Sequence, residues 1–480
     1  MSKNLTLLQI NDTHAYLESH QELFWRGKEA VYKEVGGYAR IATLIKHIKV
    51  EKNNQVLTLD NGDTIHGTFA AVNSKGKAMV PVLNKMGFEG MTAHWEFGYG
   101  PERFMEITEK INYPMLAINA YDEKSDELLF DPYLIKEYNG LKVGIIGIAA
   151  TIIDKVMPDW FSKGTYFTMG NKELPYYIDK LRKEKKVDLV VVLSHLGFPQ
   201  ESKLAKEIDG IDVLLSGHTH NRVHKPALIN DTIIIQSGCH GSFVGRLDLE
   251  IDNRKVVNFR HQLLTVEKNI AEDEEIKAEI EKIIKPHRDK LNEVLGYTDI
   301  ALNRNLVMES TMDNLLLDSL LELTGAEMAF SNGWRYGAPV VPGPITQNDL
   351  WNIIPVNPPV STVKLSGKEL WEMMEANLER TFSRDPYAQQ GGYVKRSAGI
   401  NLYFKIENPA GERIQKLFVQ GEEVDFDRIY DVVFVTSQGV RAKYGSKRRK
   451  LDIYAIENLE RYLNKVKRVE PKLRNTIVGV

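Results

Sequence analysis

Through about residue 265, short apolar runs alternate with amphipathic stretches. The runs predict strands at Leu5–Ile10, Val56–Asp60, Val143–Ala149, Asp188–Ser194, Asp212–Ser216 and Thr232–Gln236. Between the first two, Ala39, Ile41, Ala42, Ile45 and Ile48 make a helical stripe with some slack, and Leu174–Lys186 predicts a second helix. Strands alternating with helices argue for an α/β layered domain. The longest apolar runs, such as Leu189–Leu193, fall far short of the ~20 residues of a spanning helix and read as buried strands.

From Glu267 to Leu295 the pattern changes to Glu, Lys and Ile with almost no glycine. Ile276, Ile280, Ile283 and Ile284 share one helical face and most other positions are charged. This predicts a solvent-lapped connecting helix over 268–296, dividing one domain over 1–267 from another over 297–480. The second unit is also α/β. Its clearest helices are Thr311–Thr324, with Leu315, Leu316, Leu317, Leu320 and Leu321 as core, and Gly367–Arg380. The basic run Lys447–Lys450 reads as a solvated face.

Composition narrows the function classes. With 43% hydrophobic and 26% charged residues the chain has ample core for an ordinary globular protein. Sixty-two Lys and Arg against 65 Asp and Glu give a formal charge of −3, which removes the electrostatic footprint of a nucleic-acid binder. The single cysteine, Cys239, excludes a disulfide framework and thiolate-rich metal sites. Met1-Ser2-Lys3-Asn4 leads straight into the first strand without a signal-like apolar region, so the expected compartment is the cytoplasm. The expected partner is a small molecule, with no nucleic acid, membrane or obligate protein partner.

Candidate chemistry gathers in loops that follow predicted strands: Asn11-Asp12-Thr13-His14, Asn61-Gly62-Asp63-Thr64, Ser194-His195-Leu196-Gly197 and Gly217-His218-Thr219-His220. In an open α/β sheet, ligands collect at the carboxyl ends of strands, so Asp12, His14, Asp63, His195, His218 and His220 are expected at one edge. Imidazole with carboxylate suits Zn, Mn or Fe, and the lack of thiolates argues against a structural zinc site. A carboxylate such as Asp63 can bridge two cations ~3.5–4 Å apart, as in two-metal hydrolases. Alternation in His218-Thr219-His220 can put both imidazoles on one side of an extended chain.

This ordered set resembles the calcineurin-type metallophosphoesterases, specifically their 5′-nucleotidase branch. In the second half, Glu309-Ser310-x-x-Asp313-Asn314-Leu315, Ser331-Asn332-Gly333-Trp334-Arg335, Gly343-Pro344-Ile345-Thr346 and Leu365-Ser366-Gly367-Lys368-Glu369-Leu370 are similar to the 5′-nucleotidase C-terminal domain. The resemblance implies a four-layer α-β-β-α catalytic domain followed by an α/β domain that closes over substrate. It also implies that Asp12, His14 and His220 hold one metal, that Asp63 bridges, and that His195 and His218 hold the second. The implied cofactors are two divalent ions, manganese first, with zinc or iron as alternatives.

The chain departs from the family at Ala93-His94-Trp95-Glu96-Phe97-Gly98, which matches a Gly-Asn-His-Glu-Phe-Asp signature. His94 stands at the position of a ligand Asn and is expected to complete the second site. Trp95 replaces a His that assists the leaving group, and Gly98 replaces the Asp that orients it. An indole offers only an N–H donor and an apolar face. His66 and His240 are candidate replacement acids, since both follow strands that carry or neighbour ligands. The His-Trp-Glu-Phe variant, Phe330-Ser331-Asn332-Gly333-Trp334-Arg335-Tyr336-Gly337 and Arg384-Asp385-Pro386-Tyr387-x-Gln389-Gln390-Gly391-Gly392 are similar to the sulfur-oxidation thiosulfohydrolases, a subgroup of the family. By the same likeness one position of the aromatic clamp for a nucleoside base is Val356, and the other falls on Tyr393 or Val394. The expected substrate contacts are Asn332, Arg335, Tyr393 and Arg396, with Arg335 suited to an oxyanion.

The leading expectation is therefore hydrolysis of a phosphomonoester, a nucleotide or related small ester, by a metal-bridging hydroxide. His14, His94, Arg335 and His240 are the expected catalytic residues. Thiosulfohydrolase-like cleavage of a sulfur ester or S–S bond is one alternative, and a catalytically inactive, metal-containing anion-binding protein is another.

Overall fold

A computed structural model describes residues 2–480. The chain divides into two compact units. One holds the residues up to Phe24 and Lys33–Pro286, the other Trp25–Tyr32 and His287–Val480.

Two sheets build the first unit. A four-stranded sheet runs in the order Lys255–Thr265, Phe243–Asp252, Lys3–Ile10, Val56–Asp60. A six-stranded sheet runs Ala227–Ile229, Thr232–Ile235, Val213–Leu215, Leu189–Ser194, Leu141–Ile148, Tyr133–Tyr138. Strand period two sorts the side chains between layers. Leu5, Leu7, Leu57 and Leu59 meet Val143, Ile145, Val191, Leu193 and Leu215 in the core between the sheets. The alternate residues Ile146, Ile148, Val190, Val192 and Leu214 turn the other way and pack on Leu174, Ile178, Leu204 and Ala205 from the helices Leu174–Asp179 and Phe198–Glu207. The helix Tyr38–Glu51 buries Ile41, Ala42, Ile45 and Ile48 and packs near the strand Val56–Asp60, completing the α-β-β-α order.

The central strands Leu141–Ile148, Leu189–Ser194, Val213–Leu215 and Thr232–Ile235 are mutually parallel, as are Lys3–Ile10 and Val56–Asp60. That is why these strands are mostly apolar and why their following loops share an edge. The predicted helix over 174–186 is α-helical only to Asp179 and continues as a π-helical turn, Lys180–Glu184. The charged stretch forms the helix Glu274–Ile284, capped by Asp273 accepting from the Ile276 N–H, and a short turn of helix at Arg288–Leu291.

In the second unit a five-stranded sheet runs Arg396–Ala398, Met328–Ser331, Ile429–Val435, Pro359–Ser366, Ser446–Tyr454. Met328–Ser331 and Ile429–Val435 are parallel, so their carboxyl ends lie side by side. Helices Thr311–Thr324 and Gly367–Phe382 begin at Ser310 and Ser366, whose hydroxyls accept the third N–H of each helix. Leu370, Met373, Met374 and Leu378 of the latter pack with Phe330, Leu402, Phe404 and Leu417 in one core.

Candidate metal centre

Four loops of the first unit converge at the carboxyl edge of its parallel strands. Asp12 and His14 follow Lys3–Ile10, Asp63 follows Val56–Asp60, His195 follows Leu189–Ser194, and His218 and His220 follow Val213–Leu215. Asp12, His14, Asp63, His218 and His220 all lie in the left-handed region, with φ of 50, 48, 56, 67 and 60°. Non-glycine residues held there store strain, and a row of them marks loops constrained by function rather than by local preference.

Two groups of donor atoms result, each with its members within 4.8 Å of one another. Asp12, His14, Asp63 and His220 form one, and Asp63, His94, His195 and His218 form the other. Asp63 belongs to both. Its Oδ2 lies 3.1 Å from His94 Nδ1, 3.3 Å from His195 Nε2 and 3.9 Å from His14 Nε2. Asp12 Oδ1 is 3.2 Å from His220 Nε2, and the Nε2 atoms of His14 and His220 approach to 3.3 Å. His94, brought to the ligand position by the turn before residues Trp95–Tyr99, joins the second group.

Supporting contacts aim these donors. His195 Nδ1 donates to the Asn61 carbonyl at 2.6 Å, which turns Nε2 toward Asp12 and Asp63. The His218 N–H donates to Asp12 Oδ2 at 3.0 Å, and the Trp95 N–H to Asp63 Oδ1 at 2.8 Å. Burial lowers the basicity of His195, but Asp63 and Asp12 overcome it and raise the group to about 10. Asp63 is held well below the usual carboxylate range: burial opposes this, and His94 and His195 outweigh burial. The pocket thus favours positive charge at its centre.

These donors fit divalent cations. They are imidazoles and carboxylates without thiolate, and all but the partly buried His220 are buried. His94 Nε2 is buried without a hydrogen bond, an arrangement that is costly unless its lone pair serves as a ligand.

Glu96 and Glu22 carry roles that no spacing argument assigned. The fully buried Glu96 carboxylate accepts the N–H groups of Thr64 and His94, each at 2.7 Å, and that of Asp63 at 3.2 Å. It therefore ties two ligand loops together. Burial and the Asp63 charge raise its carboxyl, and the backbone hydrogen bonds oppose them. The signal was its place inside the quoted motif. Glu22 accepts from Arg222 at 2.7 Å and from Ser242 at 2.8 Å, and lies 3.1 Å from His240 Nδ1. Burial opposes its ionisation, yet His240, with Arg222 and His20, holds it at about 2. Nothing in the sequence near Glu22 signals this.

Trp95 is buried, stacks on His66 with ring centroids 4.6 Å apart, and meets the edge of Phe161 at 5.6 Å. Burial pulls His66 down to about 3. His240 lies with its ring 6.4 Å from that of His14, and its backbone N–H donates to the Asp12 carbonyl at 2.8 Å. Burial lowers His240 and Glu22 partly restores it.

In the second unit Asn332, Arg335, Tyr393 and Arg396 come together. Tyr393 hydrogen-bonds Asn332 and is raised by burial, while Arg335 and Arg396 act against that shift. Arg396 is committed within the fold: its Nε lies 3.0 Å from Asp313, and its Nη atoms donate to Val307 at 3.1 Å and Leu306 at 2.8 Å.

Family comparison agrees with this architecture. The model described as calcineurin-like phosphoesterase matches residues 5–222, and that described as 5′-nucleotidase, C-terminal domain, matches 289–437. The chain belongs to the calcineurin-like phosphoesterases of the 5′-nucleotidase family, which are hydrolases. Bovine 5′-nucleotidase is 26% identical over 490 residues, covering 91% of this chain and 83% of that protein. The trifunctional nucleotide phosphoesterase of Bacillus subtilis is also 26% identical over 88% of this chain, which spans only 30% of that longer protein. Among solved structures, the sulfate thiohydrolase SoxB of Thermus thermophilus superposes with a TM-score of 0.93 at 25% identity, covering 99% of this chain and 96% of that one. A 5′-nucleotidase precursor, also of Thermus thermophilus, gives 0.87 at 25% identity, covering 100% and 99%. Among the described residues no helix is long and apolar enough to cross a membrane.

Proposed function

We propose that this protein is a two-metal hydrolase of small phosphomonoesters, a nucleotide or related phosphate ester, working with manganese, or with zinc or iron in its place. The observation that carries this reading is the pair of donor sets joined at Asp63. Asp12, His14, Asp63 and His220 would hold one cation, and Asp63, His94, His195 and His218 the other. Such a pair supplies Lewis acidity and lowers the pKa of coordinated water toward neutrality.

The chain's own groups do the rest. Asn61 and Glu96 fix the ligand loops, and Trp95 with Phe161 walls water from His94. His240 holds a proton at Nδ1 against Glu22 and so directs proton exchange to Nε2. This is a His–carboxylate pair in place of the one lost at Trp95 and Gly98. Arg335 is suited to receive an oxyanion bidentately, with Asn332 and Tyr393 beside it.

The test is initial-rate hydrolysis by metal-stripped protein reloaded with Mn²⁺, on p-nitrophenyl phosphate, bis-p-nitrophenyl phosphate, AMP, sugar phosphates and a thiosulfonate. Turnover of a natural phosphomonoester above the generic esters is expected. A second reading is favoured by Trp95 itself. Cleavage of a sulfur ester or S–S bond releases a group that needs little protonation, and the thiohydrolase relative superposes at 0.93. Turnover confined to the thiosulfonate selects that reading.

A further inference from the structure

A third group of donors lies in the first unit, apart from the two joined at Asp63. One donor atom each from His20, Glu22 and His240 lies within 4.8 Å of the other two. The strand His20–Arg26 puts His20 and Glu22 on one face, because side chains two residues apart point the same way. His240 comes from the loop before the strand Phe243–Asp252. Its φ of 60° falls in the left-handed region, and its N–H is fixed on the Asp12 carbonyl at 2.8 Å. The rings of His20 and His240 meet edge to face with centroids 5.6 Å apart.

Neighbouring contacts aim these groups at one another. His20 Nδ1 lies 3.3 Å from the Glu18 carbonyl, the second-nitrogen contact that orients a ligating imidazole and leaves Nε2 as the donor. His20 Nε2 and Glu22 Oε2 both meet the Ser242 hydroxyl, at 3.1 and 2.8 Å. The same Oε2 is 3.1 Å from His240 Nδ1. Oε1, in contrast, is taken by Arg222 Nη2 at 2.7 Å and by the Leu23 N–H at 2.9 Å. Glu22 is thus anchored through one oxygen and presents the other to two imidazoles. Glu22 and His240 are buried, and His20 is partly buried.

Two imidazoles and one carboxylate are a zinc donor set that leaves a position for water. Such nitrogen-rich donors prefer zinc to manganese. The Arg222 charge beside Glu22 weakens any cation here relative to the centre at Asp63, which has two aspartates and so fills first.

We propose that His20, Glu22 and His240 form a third metal site, selective for zinc, that fills after the catalytic pair. The ion replaces the proton between His240 Nδ1 and Glu22 Oε2, and that proton goes to solvent. Occupancy withdraws the His240–Glu22 pair from proton exchange, so zinc in excess inhibits turnover. That consequence rests on the hydrolytic reading, whereas the site itself does not.

The experiment is equilibrium dialysis of the metal-stripped full chain against increasing free Zn²⁺, for wild type, H20Q and E22Q, with folding checked by circular dichroism. The expected result is two tight ions and a weaker third in wild type, with the third lost from both variants. Manganese in place of zinc is expected to bind equally to wild type and H20Q. In the zinc-loaded proteins, AMP turnover is expected to fall as the third ion binds to wild type and to stay level in H20Q. Absence of AMP turnover at every zinc level fails the hydrolytic reading alone, since the difference in bound zinc between wild type and H20Q still decides the site. The same number of zinc ions in wild type and H20Q overturns the proposal, and a third ion that leaves turnover unchanged overturns the inhibition.

Discussion

Removing the Glu96 carboxylate tests whether the metal centre is held by the backbone of its loops. Glu96→Ala strands three buried N–H groups, those of Asp63, Thr64 and His94. Each unsatisfied buried donor costs about 1–3 kcal/mol. Burial already raises the Glu96 carboxyl, so part of the native interaction is spent on desolvation and the low end applies, about 3 kcal/mol in all. Glu96→Gln keeps one carbonyl and turns an amide N–H toward the remaining donors, for a loss of about 1–2 kcal/mol. Because these N–H groups belong to or adjoin ligands, metal affinity is expected to fall roughly 10–100-fold as well. Urea unfolding of metal-stripped protein measures the first quantity, and chelator competition measures the second. Stability within about 0.5 kcal/mol of wild type, together with unchanged metal affinity in Glu96→Ala, refutes the clamp.

Other residues of the two units give further outcomes. A Cβ on Gly98 would come within 3.3 Å of Trp95 and 3.4 Å of His66, so Gly98→Asp alone is expected to destabilise the loop. The double variant W95H/G98D makes room for the carboxylate and is expected to raise kcat on AMP about 10²-fold with little change on p-nitrophenyl phosphate, whereas an equal gain on both rejects a role in leaving-group protonation. His240→Asn is expected to lower kcat on AMP by about 10²-fold and flatten its pH profile. His66→Gln is expected to do little, since His66 is stacked on Trp95 and buried as the neutral form; matching effects from the two variants contradict the assignment. Lys395 is lowered to about 7, below the ordinary lysine value in the unfolded chain. The cost of burying it is therefore full below pH 7 and disappears as pH rises toward ~10.5, where the unfolded chain also loses the proton. In chloride buffers, wild type should gain stability over K395M across that window, by at most about 5 kcal/mol, and a pH-independent difference contradicts this.

The alternation of apolar runs located the parallel strands closely, because a strand buried on both faces is mostly apolar. Val56–Asp60 is found as predicted, and Leu189–Ser194 begins one residue later than predicted. The hairpin Phe243–Asp252/Lys255–Thr265 was not anticipated. Its outer strand has one wet face, exposing Val257, and carries Asn258, Arg260 and Gln262, so its pattern is diluted by polar residues. Likewise the helix expected over Leu174–Lys186 hides a π turn, since periodicity cannot distinguish the two windings over five residues.

At the site, residues directly after strands were legible because chain direction alone brings them to one edge. His94 was reached only through its likeness to a family motif. Glu22 was invisible, because its role arises from a contact with His240, 218 residues away. Arg396 lies in a matched region that suggested substrate, and the fold adds contacts that spacing does not foresee: an ion pair with Asp313 and hydrogen bonds to the Val307 and Leu306 carbonyls.

The most direct test of the two-metal reading is titration of metal-stripped protein with Mn²⁺, following bound metal and p-nitrophenyl phosphate hydrolysis together in wild type and Asp63→Asn. The account predicts two ions per wild-type chain, turnover that rises with the second equivalent, and loss of both the second ion and turnover in Asp63→Asn. Full turnover with one ion per chain, or an Asp63→Asn variant that binds two ions and keeps wild-type rates, would contradict it.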